Sequence, residues 1–267
     1  AKIPSLRSLL CHANMLLIGG AMSFTFLRAQ GLNTGKSPVE EDCVSEAQSI
    51  MQLAESKGVK VVLPADFVFG ISSDLTEGEC KTGCDSDSAV SVCKVDAIPA
   101  NAVCYDIGPA TLQRFREQLR PAKMVLWNGP LGKCEVDPFS EGTNCMIDHL
   151  ATMTEQGAVT VVAGGDTVAC VEKHLHLNDK ARLTVSQGGH GPHTHIKDAR
   201  DCFTHMSLAG GAALEFLANR AQLPGLDAVS FVAEIPEAFL PSERDKAAAA
   251  AALKKPTAVM LAQPDLH

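Results

Sequence analysis

Short apolar runs that end at glycine- or proline-rich turns recur along the chain. Such continuous runs are typical of buried parallel strands. Between them, apolar residues return at helical spacing, as Val44, Ala47, Ile50 and Ala54 do. Strands that alternate with helices predict a doubly wound, mostly parallel α/β sheet with helices on both faces, folded as a single Rossmann-like domain. The predicted strands cover residues 16–18, 59–63, 102–107, 124–127 and 158–162.

Three segments interrupt this rhythm. Residues 77–95 are polar and rich in cysteine, which predicts an excursion away from the sheet. Residues 181–201 are rich in glycine and histidine and are interpreted as an insertion. We therefore predict a domain over residues 1–227 and a partly helical C-terminal tail over 228–267, because the alanine run at 247–252 favours helix but offers little to bury.

Composition narrows the range of functions. The net charge of −8 argues against a general binder of nucleic acid or of membrane surfaces, since both need a basic face. No apolar run approaches the length needed to span a bilayer. Aromatic residues are scarce, with one Trp and one Tyr, so a mostly aliphatic core is expected.

The ten cysteines are spread along the whole length of the chain. In a chain of this size that distribution favours free thiols in an intracellular, reducing compartment over a disulfide scaffold. Cys80 and Cys84 form one close pair, but no fourth ligand stands at zinc-site spacing. His190, His193 and His195 are interpreted as part of a solvated loop for the same reason, so no structural metal is expected.

The turns after the predicted strands are the candidate site. In an open α/β sheet, ligands collect at the carboxyl ends of the strands. The turn at 128–135 follows the run at 124–127, while Gly19 and Gly20 end an earlier strand. A glycine pair between a strand and a helix lets the backbone approach a ligand near the helix N-terminus.

Three of these strand ends, in order, resemble the carboxy-terminal, nucleotide-binding half of phosphoglycerate kinase. They read Ile-Gly-Gly-Ala-Met-Ser-Phe-Thr-Phe at 18–26, Trp-Asn-Gly-Pro at 127–130 and Gly-Gly-Asp-Thr at 164–167. Supporting matches lie at 63–67, 106–109 and 223–227. The resemblance implies an ATP- or ADP-binding domain of a glycolytic kinase, which transfers a phosphoryl group between 1,3-bisphosphoglycerate and ADP with Mg²⁺ and closure of two domains.

The resemblance also implies roles for individual residues. Lys2 would lie beside the transferring phosphate, and Gly210 and Gly211 would form the glycine loop that stabilises it. Asp166 would bind the Mg²⁺ of the nucleotide, and Thr167 would cap the next helix toward the phosphates. The remaining nucleotide contacts would be made to adenine by Gly19 and Gly20, to the phosphates by Asn128 and Gly129, and to the ribose by Glu135.

Several positions depart from the family pattern. A second lysine is expected four residues after Lys2, where this chain has Leu6, with Arg7 one position out of register. Lys133 replaces an apolar residue that would pack on adenine. The remaining departures are Leu208 and Ala209 in the glycine loop, and Pro38 and Tyr105 in the pocket. An alternative alignment would place the glycine loop at 186–189, but His205, Leu214 and Glu215 favour the later copy.

Nothing in the sequence resembles the amino-terminal half of the family, with its site for the phosphoglycerate. The first hypothesis is therefore a degenerate kinase half, a pseudoenzyme without activity of its own. It would serve as a structural or assembly subunit that retains a site for Mg-ADP or Mg-ATP, with a protein partner bound through the insertion or the tail. The alternative is a fragment or half of an active phosphoglycerate kinase, which the starting residue Ala1 also allows.

Overall fold

The computed structural model describes residues 3–71, 91–186, 199–212, 214 and 257–263. Two 3₁₀ turns lie at Glu41–Cys43 and Ala199–Cys202. The helices are α1 Ile3–Leu9, α2 Met22–Ala29, α3 Val44–Ser56, α4 Pro109–Leu119, α5 Glu141–Glu155 and α6 Gly165–Ser186. The strands are β1 Met15–Gly20, β2 Lys60–Val62, β3 Asp66–Ile71, β4 Ser91–Lys94, β5 Ala102–Ile107, β6 Met124–Asn128, β7 Val159–Ala163, β8 His205–Ser207 and β9 Thr257–Gln263.

The main sheet has six strands in the order β2-β1-β9-β6-β7-β8, and every pair in it is parallel. Its two faces carry separate apolar cores. Leu16 and Ile18 of β1 face α1, α2 and α3, while Leu17 belongs to the core on the side of α4, α5 and α6. This alternation follows from the pleat of the strand. The mostly parallel α/β fold predicted from the sequence is confirmed.

A second, three-stranded antiparallel sheet, in the order β4-β3-β5, was not predicted. β4 lies within the polar segment 77–95, so the interpretation of that whole segment as an excursion from the sheets is wrong for Ser91–Lys94. In β4 only Cys93 is buried, while its neighbours Val92 and Lys94 are exposed. A short strand with a single inward side chain lacks the continuous apolar run by which buried strands are detected.

β9 corrects the predicted C-terminal tail. This strand lies in the sheet between β1 and β6, so that Val259 is paired with both Leu16 and Leu126. Its residues 257–262 are all buried. The apolar sequence Ala-Val-Met-Leu-Ala is typical of a central parallel strand, but the alanine run just before it dominated the prediction. Residues 257–262 are therefore not available to a partner, and the other predicted tail residues, 228–256 and 264–267, lie outside the described residues.

The predicted insertion is partly helical. α6 runs without interruption from Gly165 to Ser186, so residues 181–186 continue a helix of the domain. Residues 187–198, with His190, His193 and His195, lie outside the described part of the chain.

Cys134 and Cys170 form a disulfide, which corrects the expectation of free thiols for this pair. The two residues are 36 positions apart in sequence, and their Cα atoms are 6.2 Å apart because α6 packs beside the turn after β6. The free cysteines of the described part are Cys11, Cys43, Cys93, Cys104, Cys145 and Cys202, while Cys80 and Cys84 lie outside it. Among the described helices, none is long and apolar enough to cross a membrane.

Candidate functional site

The carboxyl ends of β6, β7 and β8 are joined by hydrogen bonds. The Asn128 side chain, only 1% exposed, donates from Nδ2 to the carbonyl oxygen of Gly210 at 3.2 Å. The backbone N–H of Gly164, after β7, donates to the carbonyl oxygen of Ser207 at 2.9 Å. The structure thus brings three predicted site segments together at one edge of the sheet.

Gly129 is held by contacts on several sides. Its backbone N–H donates to Thr167 Oγ1 at 2.7 Å, and its carbonyl oxygen accepts from Trp127 Nε1 at 2.7 Å. Its φ of +102° lies in the region that favours glycine. A Cβ at this position would lie 1.7 Å from the carbonyl oxygen of Ala262 in β9. Only glycine therefore fits where the turn crosses the end of β9.

The N-terminus of α6 opens to solvent at this edge. Gly165 and Asp166, the first residues of the helix, are exposed, whereas Thr167 is buried. The first N–H groups of a helix have no partner within the helix and carry a partial positive charge. α6 is 22 residues long, so its first turn offers donors to an anion, with the Asp166 carboxylate beside them.

The glycine loop packs closely against the other strand ends at Gly210. A Cβ on Gly210 would lie 3.0 Å from the Gly164 Cα atom, so this position also favours glycine. Gly211 is exposed and has open space around it. Leu208 is 75% exposed, and the Ala209 N–H donates to Ser207 Oγ at 3.2 Å. Both departures from the family pattern therefore lie at the surface of the loop.

Gly19 and Gly20 lie at the end of β1, two strands away from β6 in the main sheet. β9 separates β1 from β6, so the ends of the two strands are roughly 10 Å apart, which is two strand spacings. A Cβ on Gly19 would lie 2.6 Å from Leu131 Cδ2, so the end of β1 contacts the turn after β6. Gly20, with φ +57°, accepts a 2.7 Å hydrogen bond from Ser23 Oγ at the start of α2.

Two predicted site residues remain, Glu135 and Lys2. Glu135 is exposed at the far end of the turn after β6. Lys2 lies outside the described residues. Leu6, at the position of the second family lysine, is fully buried. Arg7 is engaged on α3, where its Nη2 lies 3.0 Å from Glu46 Oε1 and 2.9 Å from Ser49 Oγ.

Two of the pocket departures contact each other. Lys133 Nζ lies 5.9 Å from the centre of the Tyr105 ring, within the range of a cation–π contact. The Lys133 N–H also donates to the Tyr105 carbonyl oxygen at 2.9 Å. The Tyr105 ring packs on Phe139, with the ring centres 4.8 Å apart. Lys133 and Tyr105 thus form one surface beside the turn, in place of two apolar side chains.

Asp106 is a site-supporting residue to which the sequence reasoning assigned no role. It is 3% exposed, and its carboxylate accepts N–H donors from Gly142 at 2.7 Å and Ile107 at 2.8 Å. Burial raises the pKa of Asp106 to about 7, against the effect of these two hydrogen bonds. A Cβ on Gly132 would lie 2.2 Å from Asp106 Oδ1, so the turn rests directly on this carboxyl group. In the sequence, the signal for this supporting role is a carboxylate within the otherwise apolar run 102–107.

Two further side chains hold the turn after β6. Thr143 Oγ1 accepts the N–H of Leu131 at 3.0 Å and that of Gly132 at 3.3 Å. Lys173 Nζ, on α6, donates to the Cys134 carbonyl oxygen at 3.3 Å. Together with the Cys134–Cys170 disulfide, these contacts tie the turn to α5 and α6. No sequence motif marked them, because their partners are distant in the chain.

Asp166 is the one residue that the family resemblance assigns to Mg²⁺. In the described part of the chain, no three His, Cys, Asp or Glu side chains are grouped to hold a metal ion. Asp166 stands alone at the start of α6, beside the backbone donors of the helix. Phosphate oxygens complete the coordination of Mg²⁺ in many sites that use only one or two protein carboxylates.

The comparisons with known proteins point to one family. Residues 1–220 match the family model described as phosphoglycerate kinase. Phosphoglycerate kinase of Chloroherpeton thalassium is 38% identical over 229 residues, which are 86% of this chain and 49% of that protein. The corresponding protein of Thermosynechococcus vestitus is also 38% identical, over 86% of this chain and 48% of its own length. The chain therefore spans about half the length of the curated relatives it matches.

Solved structures agree with this result. Phosphoglycerate kinase from Coxiella burnetii superposes with a TM-score of 0.64 at 32% identity, covering 86% of this chain and 49% of that one. The enzyme from Pyrococcus horikoshii gives a TM-score of 0.56 at 20% identity, covering 86% and 50%, which supports the fold alone.

Proposed function

The chain belongs to the phosphoglycerate kinase family, and from this premise we propose that it binds Mg-ADP or Mg-ATP without transferring a phosphoryl group on its own. The binding site would be the carboxyl edge of β6, β7 and β8, at the N-terminus of α6. In the cell the chain would serve as a structural or assembly subunit of an intracellular complex.

The observation that carries the nucleotide proposal is the pair of hydrogen bonds from the turn after β6. In the first bond Asn128 Nδ2 donates to the Gly210 carbonyl oxygen, and in the second the Gly129 N–H donates to Thr167 Oγ1. These two bonds bring two glycine-rich segments and a helix N-terminus to one point. This arrangement offers backbone donors and little side-chain bulk, which is what a phosphate chain needs.

Each residue would then have a defined task. The first turn of α6 would receive phosphate oxygens, and Asn128 would hold the glycine loop in place beside them through its hydrogen bond to Gly210. Asp166 would hold the Mg²⁺ that arrives with the nucleotide, and that ion would supply charge compensation. Glu135 would bind the ribose hydroxyls, while Gly19 and Gly20 would bound the adenine side. Gly210 and Gly211 would face the terminal phosphate, with Lys2 as its cation.

Three positions support the proposal that the chain transfers no phosphoryl group on its own. Phosphoryl transfer depends on positioning and on charge compensation. Leu6 is buried where the family has a second lysine, and Arg7 is paired with Glu46. The exposed Leu208 in the glycine loop replaces a hydroxyl with an apolar side chain. A protein partner bound through the insertion at 181–201, or through the C-terminal tail apart from the buried residues 257–262, is also part of this proposal.

The alternative is that the chain is one half of an active kinase. The hydrogen bonds that align Asn128 with Gly210 and Gly129 with Thr167 favour it, because catalysis needs them as much as binding does. Phosphoglycerate would then be bound by residues outside this sequence.

Fluorescence of Trp127 tests nucleotide binding. This residue is the only Trp, is fully buried and donates to the Gly129 carbonyl oxygen, so it reports on the proposed site. We expect a saturable change on titration with Mg-ADP, and weaker binding in Asp166→Asn. Glu55→Gln is the matched control, since Glu55 is exposed on α3. An unchanged signal at millimolar Mg-ADP, or equal weakening by both substitutions, would contradict the proposal.

A coupled assay tests whether the chain transfers a phosphoryl group on its own. The purified chain is mixed with 1,3-bisphosphoglycerate and Mg-ADP, and ATP formation is followed. We expect no ATP above the background of an Asp166→Asn sample prepared in parallel. Turnover by the chain alone that is lost in Asp166→Asn would contradict the proposal that the chain does not transfer a phosphoryl group on its own.

A further inference from the structure

A groove with a volume of about 730 Å³ runs between α4 and α5, away from the candidate nucleotide site. Two of its lining residues, Lys123 and Ala158, immediately precede β6 and β7. The candidate nucleotide site, in contrast, follows the carboxyl ends of those strands. The volume is in the range of pockets that hold small molecules. We call this feature the α4–α5 groove.

The α4–α5 groove has an excess of positive charge. Arg116, Arg120 and Lys123 line it, and Glu117 is the one carboxylate among the described lining residues. Glu117 accepts a hydrogen bond from Gln113 Nε2 at 2.9 Å. Within the described ranges, none of the three cations forms an ion pair with a carboxylate. Three cations and one carboxylate leave a net charge of plus two.

Two polar atoms of the groove residues are buried without a hydrogen-bond partner in the described part of the chain. They are Nε of Arg116 and Nε2 of His149. Arg116 Nη2 donates to the Cys145 carbonyl oxygen at 3.0 Å, so its guanidinium is already fixed in place. Buried polar atoms are nearly always paired, so these two unpaired atoms mark a polar environment that the described side chains do not satisfy.

The environment of His149 shows the same excess of positive charge. Burial lowers the pKa of His149, and the positive charges of Arg116 and Arg120 lower it further. An anion bound between these arginines would offset their effect and raise this pKa. The His149 ring is therefore a local reporter for occupation of the groove.

We propose that the α4–α5 groove binds a phosphate-bearing small molecule, with the phosphate placed between Arg116, Arg120 and Lys123. A phosphate monoester carries a charge of about −1.5 to −2 at neutral pH, which matches the net charge of the groove. An arginine can bind two phosphate oxygens through parallel N–H donors. Leu112 and Met153, which also line the groove, provide apolar surface for the organic part of the ligand.

The test follows the His149 ring by NMR in the full-length chain during titration with sodium pyrophosphate. Sodium chloride at equal ionic strength is the reference, and His149→Gln identifies the resonance. We expect a saturable shift of the His149 signal and a higher His149 pKa with pyrophosphate. Because the readout is local to the groove, binding of pyrophosphate at the nucleotide site does not produce it.

Charge substitutions provide the second arm. Arg120 and Lys123 are exposed, so Arg120→Gln and Lys123→Gln should preserve the fold, and each should weaken the pyrophosphate response about tenfold. Arg114→Gln is the matched control, since Arg114 is an exposed arginine on α4 that does not line the groove. No saturable His149 shift at millimolar pyrophosphate, or equal weakening by Arg114→Gln, would overturn the proposal. Its outcome is independent of nucleotide binding at the other edge.

Discussion

Replacing Gly129 with alanine should destabilise the fold by pressing on the central strand β9. The added Cβ would lie 1.7 Å from the Ala262 carbonyl oxygen and 2.4 Å from its carbonyl carbon. Those atoms are backbone in the middle of a parallel sheet, so they cannot move aside as a flexible side chain would. The φ of +102° adds a second cost, because alanine rarely adopts it.

The magnitude follows from these two contributions. Left-handed backbone costs an L-residue about 1–2 kcal/mol. Overpacking a well-packed interior typically costs another 1–3 kcal/mol. We therefore expect Gly129→Ala to lower the free energy of unfolding by about 3 kcal/mol or more, measured by urea denaturation at equilibrium.

Two other glycines separate the contributions. Gly157 has a φ of +89° with open space around it, so Gly157→Ala should cost only the backbone contribution of about 1–2 kcal/mol. Gly165, at the start of α6, has open space and no positive φ, so Gly165→Ala should stay within about 0.5 kcal/mol of the wild type. If Gly129→Ala cost no more than Gly157→Ala, β9 would not lie against Gly129, and the position of the C-terminal strand would be wrong.

Three further predictions concern the turn after β6. Burial raises the pKa of Asp106 to about 7. The stabilisation that comes from protonated Asp106 is therefore fully present below its pKa in the unfolded chain, about 4, and is lost as the pH rises through 7. In urea titrations at a series of pH values, Asp106→Asn should lack this decline. Reducing the Cys134–Cys170 disulfide should lower the free energy of unfolding by about 4 kcal/mol, which is the loss of chain entropy expected for a loop closed over 36 residues. A Cys134→Ser/Cys170→Ser variant should not respond to reductant. Lys133→Val should improve the affinity for Mg-ADP roughly fivefold, by about 1 kcal/mol of apolar contact with adenine, whereas Lys94→Val on β4 should leave it unchanged.

Several strands of the main sheet could be predicted from the sequence. β1 and β6 are apolar runs that end at glycine and at asparagine, and β7, which is apolar except for Thr160, is followed by Gly164. Antiparallel β3 and β4 could not be predicted in this way, since their pairing joins segments separated by a polar stretch. β9 was missed for a different reason. The alanine run at 247–252 favours helix, and the prediction extended this helical tail over the apolar residues 258–262 that form the strand.

The candidate site could be predicted from the sequence where its backbone conformation or close packing requires glycine. Gly129 and Gly164 have positive φ, and a side chain on Gly210 would press on Gly164, so the sequence carries these constraints as glycines. The side chains that hold the turn after β6 from other helices have no such pattern in the sequence. Thr143 and Lys173 act on the turn from two different helices, and a threonine or a lysine on a helix surface is common. A carboxylate within the apolar run 102–107 makes Asp106 unusual in the sequence, but its role depends on the packing of Gly132 and Gly142 against its carboxyl group, which the sequence does not show.

Calorimetric titration of the purified chain with Mg-ADP tests the central claim most directly, because it counts the sites as well as detecting them. We expect saturable heat with a stoichiometry near one nucleotide per chain, and a marked loss of affinity in Asp166→Asn but not in Glu55→Gln. The absence of heat at millimolar Mg-ADP, from a chain whose cooperative unfolding shows it to be folded, would contradict the assignment of the β6–β8 edge as a nucleotide site.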